Sequence, residues 1–264
     1  MPPTLSDVMA WARQAGEILR AGIGQDLQVE HKGLTDLVTK IDKCSEAYLV
    51  EQIRSHFNNQ RIVTEESGLL PGQEDHCWYI DPLDGTTNYV HGVPFFSVSV
   101  AYAHQGQLQL AVVYDPTRDE CFYAERGQGA WLNGKPLHVA NNSELIQALL
   151  ATGFPYNMNV PDNNMEYYSR FVTRSQAVRR LGSAALELCY VGAGRLDGYW
   201  ESGIKSYDFA AGALIAREAG GVVTDYLGDP DILTPPYQVV AANPTLQPQL
   251  LAVIQEDPVL LGRP

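Results

Sequence analysis

The stretch "IDPLDGTTN", residues 80–88, follows the apolar run "CWY" with two carboxylates three positions apart, then a glycine and two hydroxyls. Asp81 stands where a buried strand should end, and Pro82 should stop the hydrogen-bond ladder there. The chain would then turn and bring Asp84 back toward Asp81, with the Leu83 carbonyl beside them. Three hard oxygens within four residues suit a divalent cation. Gly85, Thr86 and Thr87 add N–H donors and hydroxyls, and a helix beginning there would turn its N-terminus toward an anion. One short segment could thus hold a cation and a phosphate together. The same residues also suit an Asp-Gly turn capped by threonine, and spacing alone does not choose between the two.

Other acidic stretches have two readings of the same kind. Glu65 and Glu66 in "VTEESG" adjoin a strand end, so one of them could enter the same cleft; a solvated pair would look identical. Asp208 in "KSYDFAAGALIAREAGG" starts a helix, where it would serve as a cap even without chemistry, and Asp42 invites the same reading. The segment "LDGT" superficially matches the "DxDGT" motif of haloacid-dehalogenase-like phosphatases. Pro82 occupies the position of that family's nucleophilic aspartate, which argues against an aspartyl-phosphate route. No HxH or HExxH pattern exists, and His91 reads as a loop residue. Cys44, Cys77, Cys121 and Cys189 form no CxxC pair, so reduced, mostly buried thiols are expected rather than structural zinc.

Elements must hold these residues in place. Val8, Trp11, Ala15, Ile18 and Leu19 share one face of a first helix with Ser6 near its cap. A second helix is predicted from about Asp42 to Phe57, with Leu49, Val50, Ile53 and Phe57 inward. "RIVTEESG" and "CWYI" read as strands; "FFSVSVAYA", "LQLAVVYD" and "CFYAERGQGAWLNGKPL" read as an antiparallel meander. Then the pattern alternates. "NNMEYYSRFVTR", "SAALELCYVGAG" and "DFAAGALIAREAGG" are helical, "DGYWES", "GVVTDY" and "YQVVAAN" are strands, and a last helix follows Pro244. The expected class is α/β (α+β), a layered sandwich.

Composition sets outer limits. With 264 residues the chain can form one large domain or two intimate ones, and its 45% hydrophobic content is that of a globular protein. No apolar run approaches the roughly 18 residues a membrane span needs. The first 22 residues read as a structural helix rather than a leader, so a cytoplasmic location without membrane attachment is expected. A net charge of −13 argues against broad nucleic-acid binding. It also requires local cations if the substrate is an anion.

Five pieces of the chain, in order, resemble the inositol monophosphatase family of magnesium-dependent, lithium-sensitive phosphatases. They are "LVTKID", "TEESG", "WYIDPLDGTTNYVHGVPFFSVSVA", "GSAALELCYVGAGRLDGYWE" and "YDFAAGALIAREAGG". The resemblance implies one domain over residues 1–264, with an N-terminal part to about 140 and a C-terminal part from about 141, folded as an αβαβα sandwich of the sugar-phosphatase type. It implies two or three Mg²⁺ ions, inhibition by Li⁺, and a metal set of Glu65, Asp81, the Leu83 carbonyl, Asp84 and Asp208. Asp81 would bridge two ions. Glu65, Thr86 and Asp42 would handle the attacking water, with Thr86 hydrogen-bonded to Asp42. Asp84, Gly85, Thr86, Ser183, Ala184, Glu201 and Asp208 would contact the substrate; Gly85 and Thr86 would hold its phosphate by their N–H groups, and Glu201 would meet sugar-alcohol hydroxyls. Lys32 matches a basic residue on a mobile loop. One departure is visible: Tyr207 precedes Asp208 where the family usually has tryptophan.

The implied reaction is hydrolysis of a small phosphate monoester, inositol 1-phosphate first, without a covalent intermediate. Fructose 1,6-bisphosphate, 3′-phosphoadenosine 5′-phosphate and histidinol phosphate are substrates elsewhere in the superfamily. The sequence "DGTTNYVHG" favours the inositol type over the nucleotide type, which more often reads "DGTKEF" or "DGTREF". A catalytically silent scaffold is the alternative from another class, but none of the implied metal carboxylates is missing. Family analogy adds a homodimer.

Overall fold

From Ser97 to His104 the side chains alternate between two apolar regions. Val98, Val100 and Tyr102 enter one; Ala101 and Ala103 enter the other. From Leu110 to Tyr114 the alternation repeats, with Leu110, Val112 and Tyr114 on the first side and Ala111 and Val113 on the second, while Leu108, beyond a shift in register, faces the second side. A period of two with both faces buried makes a sheet covered on both sides.

The computed structural model describes residues 2–25, 29–31, 37–155 and 164–256. Helix α1 (Leu5–Gly22) precedes two short paired strands, β1 (Glu30–His31) and β2 (Leu37–Val38), and helix α2 (Lys40–His56). Strands β3 (Gln60–Thr64), β4 (Gly68–Leu70) and β5 (Gln73–Asp84) lead into the short helix α3 (Thr86–Val90). The meander follows as β6 (Ser97–His104), β7 (Gln107–Asp115), β8 (Glu120–Glu125), β9 (Ala130–Leu132) and β10 (Lys135–Pro136). Its eight-stranded sheet runs β10-β9-β8-β7-β6-β5-β3-β4, antiparallel except for β3 beside β5. The remaining chain supplies β11 (Leu149–Thr152), α4 (Met165–Val172), β12 (Ala177–Arg179), α5 (Ala184–Gly192), β13 (Gly198–Ser202), α6 (Ser206–Glu218), β14 (Val222–Thr224), β15 (Gln238–Ala242) and α7 (Gln247–Ile254). Its five strands order as β12-β11-β13-β15-β14, with β11 parallel to both neighbours.

Four buried apolar clusters separate five layers. The first joins α1 and α2 to the eight-stranded sheet, through Trp11, Leu49, Ile53 and Trp78. The second and third lie on either side of the α5–α6 pair. The fourth seats α4 and α7 on the far face of the smaller sheet, around Phe171, Trp200 and Leu250. The architecture is the expected αβαβα sandwich. Helix α6 is buried around nearly its whole circumference because it lies between two sheets, and its sequence is correspondingly apolar on every side. A Cβ at Gly212 would come within 2.6 Å of Leu188 Cβ, so glycine there sets the close approach of α5 and α6.

Several local expectations change. Thr4, not Ser6, caps α1, its hydroxyl accepting the Asp7 N–H. Helix α2 starts two residues before Asp42 and is capped by Thr39; Asp42 completes the reciprocal bond by accepting the Thr39 N–H. Pro82 does not end β5. The ladder pairs Asp81 with Ser99 and resumes with Asp84 opposite Ser97, so the residues between form a bulge in which proline's missing donor is not needed. Cys77, Cys121 and Cys189 are buried and Cys44 is exposed; all four are free thiols. Among the described residues no helix is long and apolar enough to cross a membrane.

Candidate active site

The bulge at the end of β5 builds the site's floor. Asp81 Oδ1 accepts the Leu83 N–H at 3.0 Å, which closes the turn on itself. Gly85 follows with φ of 97°, a left-handed conformation that turns the chain into α3. Thr86, the first residue of α3, donates its hydroxyl to both Asp42 Oδ1 and the Leu83 carbonyl, each at 3.1 Å. The bond between Thr86 and Asp42 is thus present.

Three other elements close the site. The turn after β3 carries Glu65, and α6 carries Asp208 in its first turn. Helix α5 brings Ser183, its N-cap, to Asp84. The Ser183 hydroxyl and the Ala185 N–H both donate to Asp84 Oδ2, at 2.6 and 2.8 Å. A cavity of about 310 Å³ results, lined by Glu65, Asp81, Asp84 and Asp208, with Gly85, Thr86, Ser183 and Ala184 beside them. Glu201 and Glu187 also line it, as do Gly153, Phe154 and Arg180. Lys32 lies outside the described residues.

The electrostatics follow from this crowding. Burial holds the Asp81 carboxyl well above its usual range, and repulsion from Glu65, Asp84 and Asp208 adds to it. Burial also raises Asp208, offset in part by the Lys205 N–H it accepts at 2.6 Å. Asp84 is pushed up to about 6 by burial despite its bonds from Ser183 and Ala185. Glu201 is pushed up to about 7 by burial, although Tyr199 donates to it. Four carboxylates and a carbonyl, without sulfur or imidazole, are oxygen donors of the kind that hard divalent cations take. Cations among them would remove the repulsion that raises Asp81. Among the described residues no three His, Cys, Asp or Glu side chains stand as placed so that they could hold a metal ion together. Asp81, Asp84 and Asp208 each turn an oxygen to a protein donor.

The profile of the inositol monophosphatase family matches residues 3–258. The chain belongs to that family. Nus factor SuhB of Pasteurella multocida (strain Pm70) is 45% identical over 259 residues, 97% of each chain. Nus factor SuhB of Escherichia coli (strain K12) is 41% identical over 261 residues, again 97% of each. Among solved structures, the inositol monophosphatase from Anabaena (Nostoc) sp. PCC 7120 superposes with a TM-score of 0.87 at 40% identity, covering 98% of both chains. The extragenic suppressor protein suhB from Bartonella henselae gives a TM-score of 0.89 at 36% identity, covering 95% of this chain and 98% of its own. Membership supports a phosphatase.

Several lining residues, Glu187 and Gly153 among them, are not marked as such by the sequence. Glu187 sits inside "SAALELCYVGAG", yet its own role was not legible. It is buried, accepts the Leu181 N–H at 2.7 Å, and is raised by burial and by Glu201. The available signal was one acidic residue in an otherwise apolar helix. Gly153 approaches the Glu201 carboxylate so closely that a Cβ would collide with it; nothing in its sequence context announces this.

Proposed function

We propose that the protein hydrolyses a small phosphate monoester, inositol 1-phosphate first among candidates, with Mg²⁺ as its cofactor. The observation that carries this reading is the convergence of Glu65, Asp81, Asp84 and Asp208 on one cavity that also contains Glu201. Glu65, Asp81, the Leu83 carbonyl, Asp84 and Asp208 would hold two or three ions. When bound, the ions would neutralise phosphoryl charge and make a water molecule more acidic. The N–H groups of Gly85 and Thr86 would orient the phosphate. Glu65 and the Thr86 hydroxyl would position the attacking water. Thr86 would pass the water's proton to Asp42, whose carboxyl burial already raises. Glu201 would receive hydroxyls of the leaving alcohol. No side chain need form a bond to phosphorus.

A phosphate-release panel tests this. The purified protein with Mg²⁺ should turn over inositol 1-phosphate with the highest kcat/KM among inositol 1-phosphate, histidinol phosphate, fructose 1,6-bisphosphate and 3′-phosphoadenosine 5′-phosphate. EDTA and Li⁺ should suppress the reaction. A large preference for another ester would displace the substrate and keep the chemistry; no turnover of any ester would displace the chemistry. The names of the curated relatives favour a second reading, a Nus-factor role. An Asp81→Asn protein that loses phosphatase activity yet still serves that role would show the two to be separable.

A further inference from the structure

Helix α2 turns three buried polar side chains to three segments that carry residues of the site. Asp42 accepts the Thr86 hydroxyl. The Ser45 hydroxyl donates to the Pro82 carbonyl at 2.9 Å and pins the bulge between Asp81 and Asp84. Glu46, four residues after Asp42 and so on the same face, reaches the turn that carries Glu65.

Glu46 is 3% exposed, and its carboxylate gathers four donors from that turn. Oε2 accepts the Thr64 hydroxyl at 2.7 Å and the Glu66 N–H at 2.8 Å. Oε1 accepts the Ser67 N–H at 3.0 Å and the Ser67 hydroxyl at 2.5 Å. These donors flank Glu65 on both sides. A buried carboxylate is costly unless such donors satisfy it, and charge-assisted bonds of this kind are directional. Apolar packing could fix the distance of the turn from α2. Four converging bonds also fix its rotation, and with it the direction in which Glu65 leaves the backbone.

We propose that Glu46 is a positioning residue of the site: it clamps residues 64–67, orients Glu65, and thereby sets the affinity for the divalent cation. The proposal rests on the reading of Glu65 as a cation ligand. Glu46→Gln tests it with little change of shape. The two backbone N–H donors bind different oxygens, so whichever way the amide turns, its NH₂ faces one of them and a bond is lost.

The readout is calorimetric titration of EDTA-stripped protein with Mn²⁺, beside thermal unfolding without metal. E46Q should bind Mn²⁺ about tenfold more weakly, the effect expected of one or two lost charge-assisted bonds. Glu65→Ala should also weaken binding, and adding E46Q to it should change little more, because both act through the same side chain. A purely structural role would lower the Tm and leave the Mn²⁺ affinity of the folded protein unchanged; that result overturns the proposal. Weakening in E65A with none in E46Q overturns the proposal alone. Unchanged binding in E65A overturns the ligand reading and the proposal with it. Should E46Q not fold, Ser67→Ala decides, since it removes one hydroxyl donor and leaves the carboxylate intact. A roughly threefold weakening that vanishes in the E65A background supports the clamp; unchanged affinity overturns it.

Discussion

The Ser183 hydroxyl donates to Asp84 Oδ2 at 2.6 Å, joining residues 99 positions apart. The bond ties the N-terminus of α5 to the end of β5, so the two halves of the chain meet at a carboxylate of the candidate site. The same serine caps α5 by accepting the Leu186 N–H at 3.4 Å. Its hydroxyl is therefore both a helix cap and a support for Asp84.

Ser183→Ala removes both roles and leaves the Ala185 N–H on Asp84. Stability should fall by about 1–2 kcal/mol, the range for a lost cap or buried hydrogen bond. Urea unfolding in EDTA measures this. The Mg²⁺ concentration giving half-maximal phosphatase activity should rise as well. An unchanged unfolding midpoint would mean that the bond contributes nothing net.

Glu201 makes stability depend on pH. Its carboxyl is pushed from an ordinary 4.5 up to about 7 by burial. A folded-state pKa above the unfolded one means that the folded protein binds the proton more tightly. The contribution is complete below pH 4.5 and is lost as pH rises through about 7. Metal-free protein should therefore lose stability between those values, with Glu201 contributing a slope of about 1.4 kcal/mol per pH unit. Glu201→Gln cannot titrate, so its slope should be shallower by that amount. Denaturant unfolding in EDTA at several pH values compares the two, and identical slopes would refute the assignment.

Gly153→Ala tests the cavity wall formed by Gly153 and Glu201. The new Cβ would collide with the Glu201 carboxylate, the free end of a side chain that can swing aside. Moving it would break the bond from Tyr199, so stability should fall by about 1 kcal/mol. Glu201 would be displaced, so KM for the preferred ester should rise several-fold to tenfold, in line with about 1 kcal/mol of lost polar contact. Mn²⁺ affinity should stay at its wild-type value. A fall in metal affinity equal to the rise in KM would show that the effect spreads beyond this wall.

How much of this could be read from the chain depends on how local each signal is. The alternation in "SVSVAYA" and "LQLAVVYD" marks β6 and β7 directly, because both faces are buried and turn residues bound the runs. The all-round apolar character of α6 was equally plain. Strand β11, only "LLAT", was not legible, since four residues between parallel neighbours carry no period of their own. Pro82 signalled a strand end and instead marks a bulge, because the pairing that resumes at Asp84 depends on Ser97. The residues alone left Glu65 and Asp208 each with two readings; the likeness of five segments to one family brought them together. Glu46 and Glu187 look like ordinary helical glutamates until distant elements bury them.

Thr86 separates a proton path from simple packing. Its hydroxyl donates to Asp42 and to the Leu83 carbonyl, and Asp42 is in turn held by the Thr39 N–H and hydroxyl. Thr86→Ala removes the hydroxyl and should lower kcat by about 10²–10⁴, the span of a positioned acid–base group. Thr86→Ser keeps it and should retain most of the rate. Asp42→Asn keeps a hydrogen-bond acceptor for Thr86, loses the bond from the Thr39 N–H at its other end, and cannot take up the proton at neutral pH. If the hydroxyl only fills space, T86A and T86S should lose rate alike and D42N should be nearly silent. If it carries the proton, T86A and D42N should both be slow while T86S is not, and T86A combined with D42N should be little slower than T86A alone. Single-turnover phosphate release at saturating Mg²⁺ distinguishes the two patterns, because it isolates the chemical step from product release.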